Sequence, residues 1–228
     1  MKQKTRQAKL ERKSKETETK IKLNIDGKGK TSIKTPLGIL DHMLELFAFH
    51  GFFDLDLKVK GDTHIDIHHT NEDIGIALGK AFKEALGVKK FGIKRFGSAF
   101  VPMEATLGHT VVDISGRGYF SPISFEANYP ISIKRNAQFV HANNEVQLRG
   151  ALGEIVQDGY AFKYLEHFLE SFAHHLGATI KVKISYPTED LHTNLETVFK
   201  SLGMALDQAT QIDSRRKGAV PSTKGIID

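Results

Sequence analysis

The chain repeats itself, and that repeat limits its possible folds more than any single motif does. "IDGKG" (Ile25–Gly29) returns as "ISGRG" (Ile114–Gly118), and "DHMLELFAFHG" (Asp41–Gly51) returns as "EHFLESFAHHLG" (Glu166–Gly177). "HHTNEDIGIALGKAF" (His68–Phe82) returns as "HTNLETVFKSLGMAL" (His192–Leu206). Three matches in one order and register imply a duplicated fold of two halves, split near Arg95 to Gly97. The shared frame pairs His42 with His167, His68 with His192 and Glu72 with Glu196.

Each half reads as mixed α and β. "TKIKLNID", "TVVDIS" and "TIKVKISY" alternate as strands, with "DGKG" and "SGRG" as turns. "DHMLELFAFHG", "NEDIGIALGKAFKEALG" and "NLETVFKSLGMALDQA" carry apolar residues at helical spacing. A glycine after each of the first two suits a helix C-terminus. The segment from about Ser121 to Ala151 shows no clean period.

Composition narrows the chemistry. The 228 residues are 40% hydrophobic, enough for a packed core, and contain no cysteine. Disulfides, thiolate nucleophiles and zinc–thiolate sites are therefore excluded, and any metal must sit on His, Asp or Glu. No apolar run is long enough to span a bilayer. The N-terminal "MKQKTRQAKLERKSKE" has no apolar signal core, so a cytoplasmic protein is expected. The net charge of +5 fits nucleic acid or a phosphorylated small molecule as partner. Nothing resembles an aromatic stacking set or a nucleic-acid module, so no nucleic acid is expected. The Lys and Arg are densest in the first 20 residues, which read as a solvated tail.

The histidines carry the functional signal. Positions i and i+4 share a helix face, so His68 with Glu72 can chelate one ion and His192 with Glu196 another. Consecutive helical residues point about 100° apart, so His69 faces away from His68 and toward the ion of the other half. One ion then takes His42, His69, His192 and Glu196. The second takes His68, Glu72 and His167, with Thr193 opposite to where His69 stands. An all-N/O ligand set suits Mn, Fe, Co or Zn. A lone buried histidine is more often a hydrogen-bonded core residue, but the repeat and the His-x-x-x-Glu spacing favour ligands here. His64, His109 and His141 gain nothing from the pattern and read as surface or packing residues. His50 and His175 fall at helix C-termini, where a cation is favoured anyway.

These residues resemble the imidazoleglycerol-phosphate dehydratase family. The resemblance rests on "LGILDHMLELFAFHGFFDL", "GDTHIDIHHTNEDIGIALGKA", "KRFGSAFVPME", "VDISGRGYF", "LEHF", "HTNLETVFK" and "VPSTKG", in the family's order from Glu16 to Gly225. It implies an α/β (α+β) fold: internally duplicated sheet-plus-helices halves forming a two-layer sandwich of the ribosomal protein S5 domain 2-like kind. It implies a charged tail over 1–15, half-repeats over 16–96 and 97–212, and a substrate-binding C-terminal tail over 213–228. It also implies two Mn2+ per site, sites shared between subunits of a 24-subunit homo-oligomer, and no membrane. The implied reaction is a hydro-lyase step of histidine biosynthesis, from imidazole glycerol phosphate to imidazole acetol phosphate. The ring is held as an imidazolate stabilised by Lewis-acid metals, and a proton and the neighbouring hydroxyl leave through a diazafulvene-like intermediate. The resemblance makes Glu16 the proton carrier beside His42, His69, Glu72 and Glu196. It assigns substrate binding to Glu16, His42 and His192, and the phosphate to Arg95, Arg117, Lys200, Ser222, Thr223 and Lys224.

Four positions depart from the family pattern: Thr193 in place of a second histidine, Ile67 in place of an acid, Ala105 in place of an acid, and Leu46 near an expected Gln. Loss of the ligand at Thr193 weakens the second ion, with Asp190 or Glu189 as replacement oxygen donors. The alternative function is therefore a diverged, non-catalytic paralogue that binds metal and a phosphorylated ligand.

Overall fold

A period-two alternation starts the first sheet. In the computed structural model, which describes residues 6–87, 92–128, 130–135 and 138–227, β1 (Gln7–Lys13) and β2 (Thr17–Asn24) form an antiparallel hairpin. Along β2, Thr17, Thr19, Ile21 and Leu23 are buried while Lys20 and Lys22 face out. β3 (Thr31–Lys34) is followed by α1 (Gly38–His50) and then by β4 (Asp54–Gly61), which runs parallel to β3. That crossover is what a parallel pair requires. Asp66 then caps α2 (Ile67–Leu86), its carboxylate accepting from the His68 backbone N–H at 2.9 Å.

The second half repeats this plan with an insertion. β5 (Phe96–Met103) and β6 (Thr106–Asp113) form a hairpin, followed by β7 (Tyr119–Phe120) and β8 (Ser124–Glu126). The inserted pieces are a hairpin of β9 (Ile131–Arg135) with β10 (Gln138–Ala142), α3 (Glu145–Gly153), and a hairpin of β11 (Val156–Gln157) with β12 (Tyr160–Ala161). α4 (Phe162–Leu176), β13 (Thr179–Ser185) and α5 (Leu191–Thr210) complete the half. The first sheet has the order β1-β2-β4-β3 and the second β5-β6-β13-β7, with β8 also on β13. Both have the same order once counterparts are matched, so the duplication lies in the topology as well as in the sequence.

The helices pack across the halves, between the two sheets. α5 lies on α1, and α2 lies on α4. Glycine permits both approaches. A Cβ on Gly203 would sit 2.3 Å from the carbonyl oxygen of Phe47, and one on Gly79 would sit 2.7 Å from that of Phe172. These glycines, and these phenylalanines, are partners in the repeat. Phe47, Phe53, Phe82 and Phe172 then fill the centre, with ring centroids 4.9 Å apart for Phe53–Phe82 and 6.3 Å for Phe47–Phe172.

Two sequence readings change. The solvated tail is, from Gln7 onward, the edge strand β1: Ala8 is buried, and Arg12 ion-pairs with Asp73 of α2. Its lysines occupy the outward positions, as suits an edge strand, and they mask a short apolar alternation through Ala8 and Leu10. The patternless stretch after Ser121 holds β8, β9, β10 and α3, elements too short to show a period. Among the described residues, no helix is long and apolar enough to cross a membrane.

Gly203→Ala should therefore lower the unfolding free energy by about 1–3 kcal/mol, because backbone must shift to admit the methyl. Gly150→Ala in α3, where a Cβ meets nothing within 4 Å, should leave stability unchanged or slightly raised. Urea unfolding of the two variants checks this, and equal effects would refute the tight α5–α1 contact.

Candidate metal centre

Cross-packing of the helices brings the repeated histidines together in two clusters. In the first, α1 supplies His42 and the opening turns of α5 supply His192 and Glu196. The Oε1 of Glu196 lies 2.9 Å from His192 Nε2 and 3.3 Å from His42 Nε2. Donor atoms of the three residues all fall within 4.8 Å of one another, close enough for one ion to reach all three. The two rings stack at 5.1 Å. The other oxygen of Glu196 ion-pairs with Lys200, one turn along α5. Burial raises the Glu196 carboxyl, but hydrogen bonds from Lys200, His42 and His192 outweigh it and hold it below its ordinary value.

The second cluster is the repeat partner of the first. α2 supplies His68 and Glu72, and α4 supplies His167. His167 Nδ1 lies 2.8 Å from His68 Nδ1, and His68 Nε2 lies 3.4 Å from Glu72 Oε2. The two sites differ in solvation. The Glu196 side chain is 10% exposed and that of Glu72 43%.

His69 does not join His42, His192 and Glu196 within the chain. Its Nδ1 faces Asp62 at 3.5 Å, and its ring stands edge-on to His68 at 6.0 Å. The expected rotation away from His68 is there, but it leads to the end of β4 rather than to α5. Asp62 escaped the sequence reading, although it stands in the same "GDTHIDIHH" run. Thr193 is buried, and its hydroxyl donates to Asp190 at 2.6 Å while Asp190 also accepts from its N–H. Asp190 is thus the N-cap of α5, and the described residues show it in that role rather than as a replacement ligand.

The expected phosphate residues are scattered. Lys200 stands in the first cluster. Arg95, at the start of β5 with a positive φ of 77°, forms a two-pronged pair with Asp113 at 2.6 and 3.0 Å and donates to the Pro221 carbonyl at 3.1 Å. Asp113 raises the pKa of that guanidinium further. Arg117 lies on the β6–β7 turn, where its N–H donates to Ser115 Oγ. Ser222, Thr223 and Lys224 lie in the C-terminal segment, with the Lys224 N–H donating to Ser222 Oγ. Glu16 is exposed on the β1–β2 turn. Ile67 is partly buried against the core, as is Leu46. Ala105 lies in the β5–β6 turn.

Three other histidines have structural partners: His109 stacks on Phe100 at 3.7 Å, His141 contacts Ser132 Oγ, and His175 contacts the Ser171 carbonyl. At His50, burial and the nearby Lys200 lower the pKa, so the helix C-terminus does not favour a cation there as expected. A concavity lies elsewhere, on the outer face of the first sheet, lined by Lys9, Lys22, Lys30, Asp54 and Asp56. It contains none of the clustered histidines, and its polar groups pair with one another, as Lys22 does with Asp56 at 3.0 Å. Converging ligand chemistry outweighs concavity here and makes the clusters the candidate site.

The imidazoleglycerol-phosphate dehydratase family model matches residues 35–206. The imidazoleglycerol-phosphate dehydratase of Pelobacter propionicus is 42% identical over 98% of this chain and 100% of its own length. That of Geobacter sulfurreducens is 43% identical over 97% of this chain and 98% of its own. Among solved structures, imidazoleglycerol-phosphate dehydratase from Pyrococcus furiosus is 33% identical with a TM-score of 0.67, covering 95% of this chain and 99% of its own. The Staphylococcus aureus enzyme is 27% identical with a TM-score of 0.68, covering 91% and 99%. By full-length similarity, shared fold and the duplicated histidine motifs, the chain belongs to the imidazoleglycerol-phosphate dehydratase family of hydro-lyases.

Proposed function

We propose that the chain dehydrates imidazole glycerol phosphate to imidazole acetol phosphate in histidine biosynthesis, as a cytoplasmic enzyme with two Mn2+. The convergence of His42, His192 and Glu196 is the observation that carries the reading. Their donors are imidazole nitrogen and carboxylate oxygen without thiolate, a set that fits manganese. These three would hold one ion, and His68, Glu72 and His167, whose donor atoms are spread more widely, would hold the second. When bound, such ions supply Lewis acidity that stabilises an imidazolate.

The chain's own groups do the rest. Lys200 holds one oxygen of Glu196 and leaves the other turned to both rings. Asp62 stands beside Nδ1 of His69 at 3.5 Å, close but not hydrogen-bonded to it, and Nε2 is the nitrogen on the far side of that ring. In the reaction, the carbon attached to the ring loses its hydroxyl and the next carbon loses its hydrogen. The enol so formed relaxes to the ketone, and one water leaves. Glu16 is the proposed proton carrier. Arg117, Lys200, Ser222, Thr223 and Lys224 bind the phosphate. Arg95 supports them by tying Asp113 to the segment that bears Ser222 and Lys224.

His69 joins no cluster among the described residues of its own chain, so we place it in the first cluster of a neighbouring copy, in a homo-oligomer of the 24-subunit kind. The second reading, a paralogue that binds ligand without turnover, is favoured only by Thr193, whose hydroxyl is engaged by Asp190.

Three outcomes test this. Titration of chelator-stripped protein with Mn2+ should fill one site tightly and the second only at higher concentration. Thr193→His should tighten the second. Both should empty in acid, because a ligating imidazole must be neutral, while Glu196, held low, remains a carboxylate. Assay of the manganese-loaded protein decides between the readings: binding without dehydration supports the paralogue. Lys224→Ala and Arg117→Ala should each weaken a phosphorylated substrate by about 1.5–3 kcal/mol relative to its dephosphorylated analogue. Equal losses for both compounds would move the phosphate site elsewhere. Finally, His69→Ala and His192→Ala should each be inactive alone yet regain part of the activity when co-assembled. No recovery would show that each site draws on one chain.

A further inference from the structure

The first half passes from β3 to α1 through Thr35, Pro36 and Leu37 alone, whereas the second half inserts a long segment between β7 and α4. The last element of that insertion is the β11–β12 hairpin. Its turn, Asp158–Gly159, has φ of 50° and 77°, the signature of a tight two-residue hairpin turn. Gln157 and Tyr160 face each other across the two strands, so their side chains share one side of the hairpin.

That side touches two of the four ligand-bearing helices, α5 and α2. Gln157 Oε1 accepts from the backbone N–H of His192 at 3.1 Å, satisfying a first-turn donor of α5 that has no partner within its own helix. The Tyr160 hydroxyl donates to Asn71 Oδ1 at 2.8 Å. Asn71 is fully buried on α2, between His68 and Glu72, and its amide donates to the Tyr164 carbonyl at 2.7 Å. A four-residue unit therefore binds the backbone of one cluster's His192 and a side chain lodged between two residues of the other cluster.

We propose that the Val156–Ala161 hairpin is a brace that holds the first turns of α5 and α2, and with them the two clusters, at a fixed separation. Gln157 and Tyr160 are positioning residues that act through His192 and Asn71. This rests on the metal reading given above. Burial, with Tyr164 adding to it, raises the Tyr160 pKa, so the phenol stays a donor at any pH the protein meets. Without that donor, Asn71 Oδ1 is left buried and unpaired. A buried tyrosine that merely fills space predicts none of the site-specific effects that follow.

The test uses Gln157→Met, Gln157→Glu and Tyr160→Phe in the full chain. Mn2+ alone is titrated into chelator-stripped protein, and amide hydrogen exchange is followed without metal. His167→Ala and His42→Ala backgrounds tell the two clusters apart. Gln157→Met should weaken Mn2+ at the His42 cluster about tenfold, the scale of losing a group that orients a ligand. Gln157→Glu keeps an acceptor oxygen and should restore it. Tyr160→Phe should weaken the His68 cluster instead. Exchange at His192 should rise in Gln157→Met, and at the first turn of α2 in Tyr160→Phe. Unchanged Mn2+ affinity with only a lower unfolding midpoint would overturn the proposal. So would unchanged exchange at both turns, whatever the metal result. If the unaltered chain binds no Mn2+ at all, the metal reading itself fails, and the exchange data alone decide whether the brace exists.

Discussion

Everything in the site depends on how close α5 comes to α1 and α2 to α4. A carbonyl oxygen of Phe47 occupies the space where a side chain at 203 would begin, and a carbonyl of Phe172 does the same at 79. Helices that approach this closely cannot slide past one another, because packed interiors resist small displacements. His42 thereby meets Glu196, and His167 meets His68, across helices that belong to different halves. Neither half could build either cluster by itself.

The same plan yields two unequal sites. Glu196 is shielded, held by Lys200 and close to two imidazoles, so its negative charge is concentrated where an ion would sit. Glu72 is more open to water, which screens its charge. At the matching first turn of the second half, Thr193 lends its hydroxyl to the helix cap, where the first half has the imidazole of His69. On the proposed reading, unequal solvation and the added imidazole of a neighbouring His69 act in the same direction, toward a stronger first site.

Much of this was legible in the chain. The long helices had clear periods, and α2 and α5 have aspartate N-caps, so α1, α2 and α5 fell where the pattern put them. The repeat and the His-x-x-x-Glu spacing together join His42 to His192 and His68 to His167 in the two expected ion sets. Three features were hidden, each for a physical reason. β1 was masked because an edge strand carries its lysines outward and shows few apolar residues. That His69 stands apart from the His42 cluster of its own chain was hidden because helical geometry gives a direction but not what lies in that direction, which here is Asp62. Gln157 and Tyr160 were invisible because a two-residue strand has no period, and their partners lie 35 and 89 positions away in sequence.

The crossed helices also bear on ancestry. A half-length chain with this topology leaves a helical face bare and can cover it only with a second copy of itself. In such a pair the two clusters are identical, and every substitution falls on both at once. Joining the copies into one polypeptide removes that obligation. Threonine can then replace histidine at one cluster while the other keeps its imidazole, and an insertion can enter one half alone. The long segment between β7 and α4 and the single change at 193 are asymmetries that only a fused chain can hold.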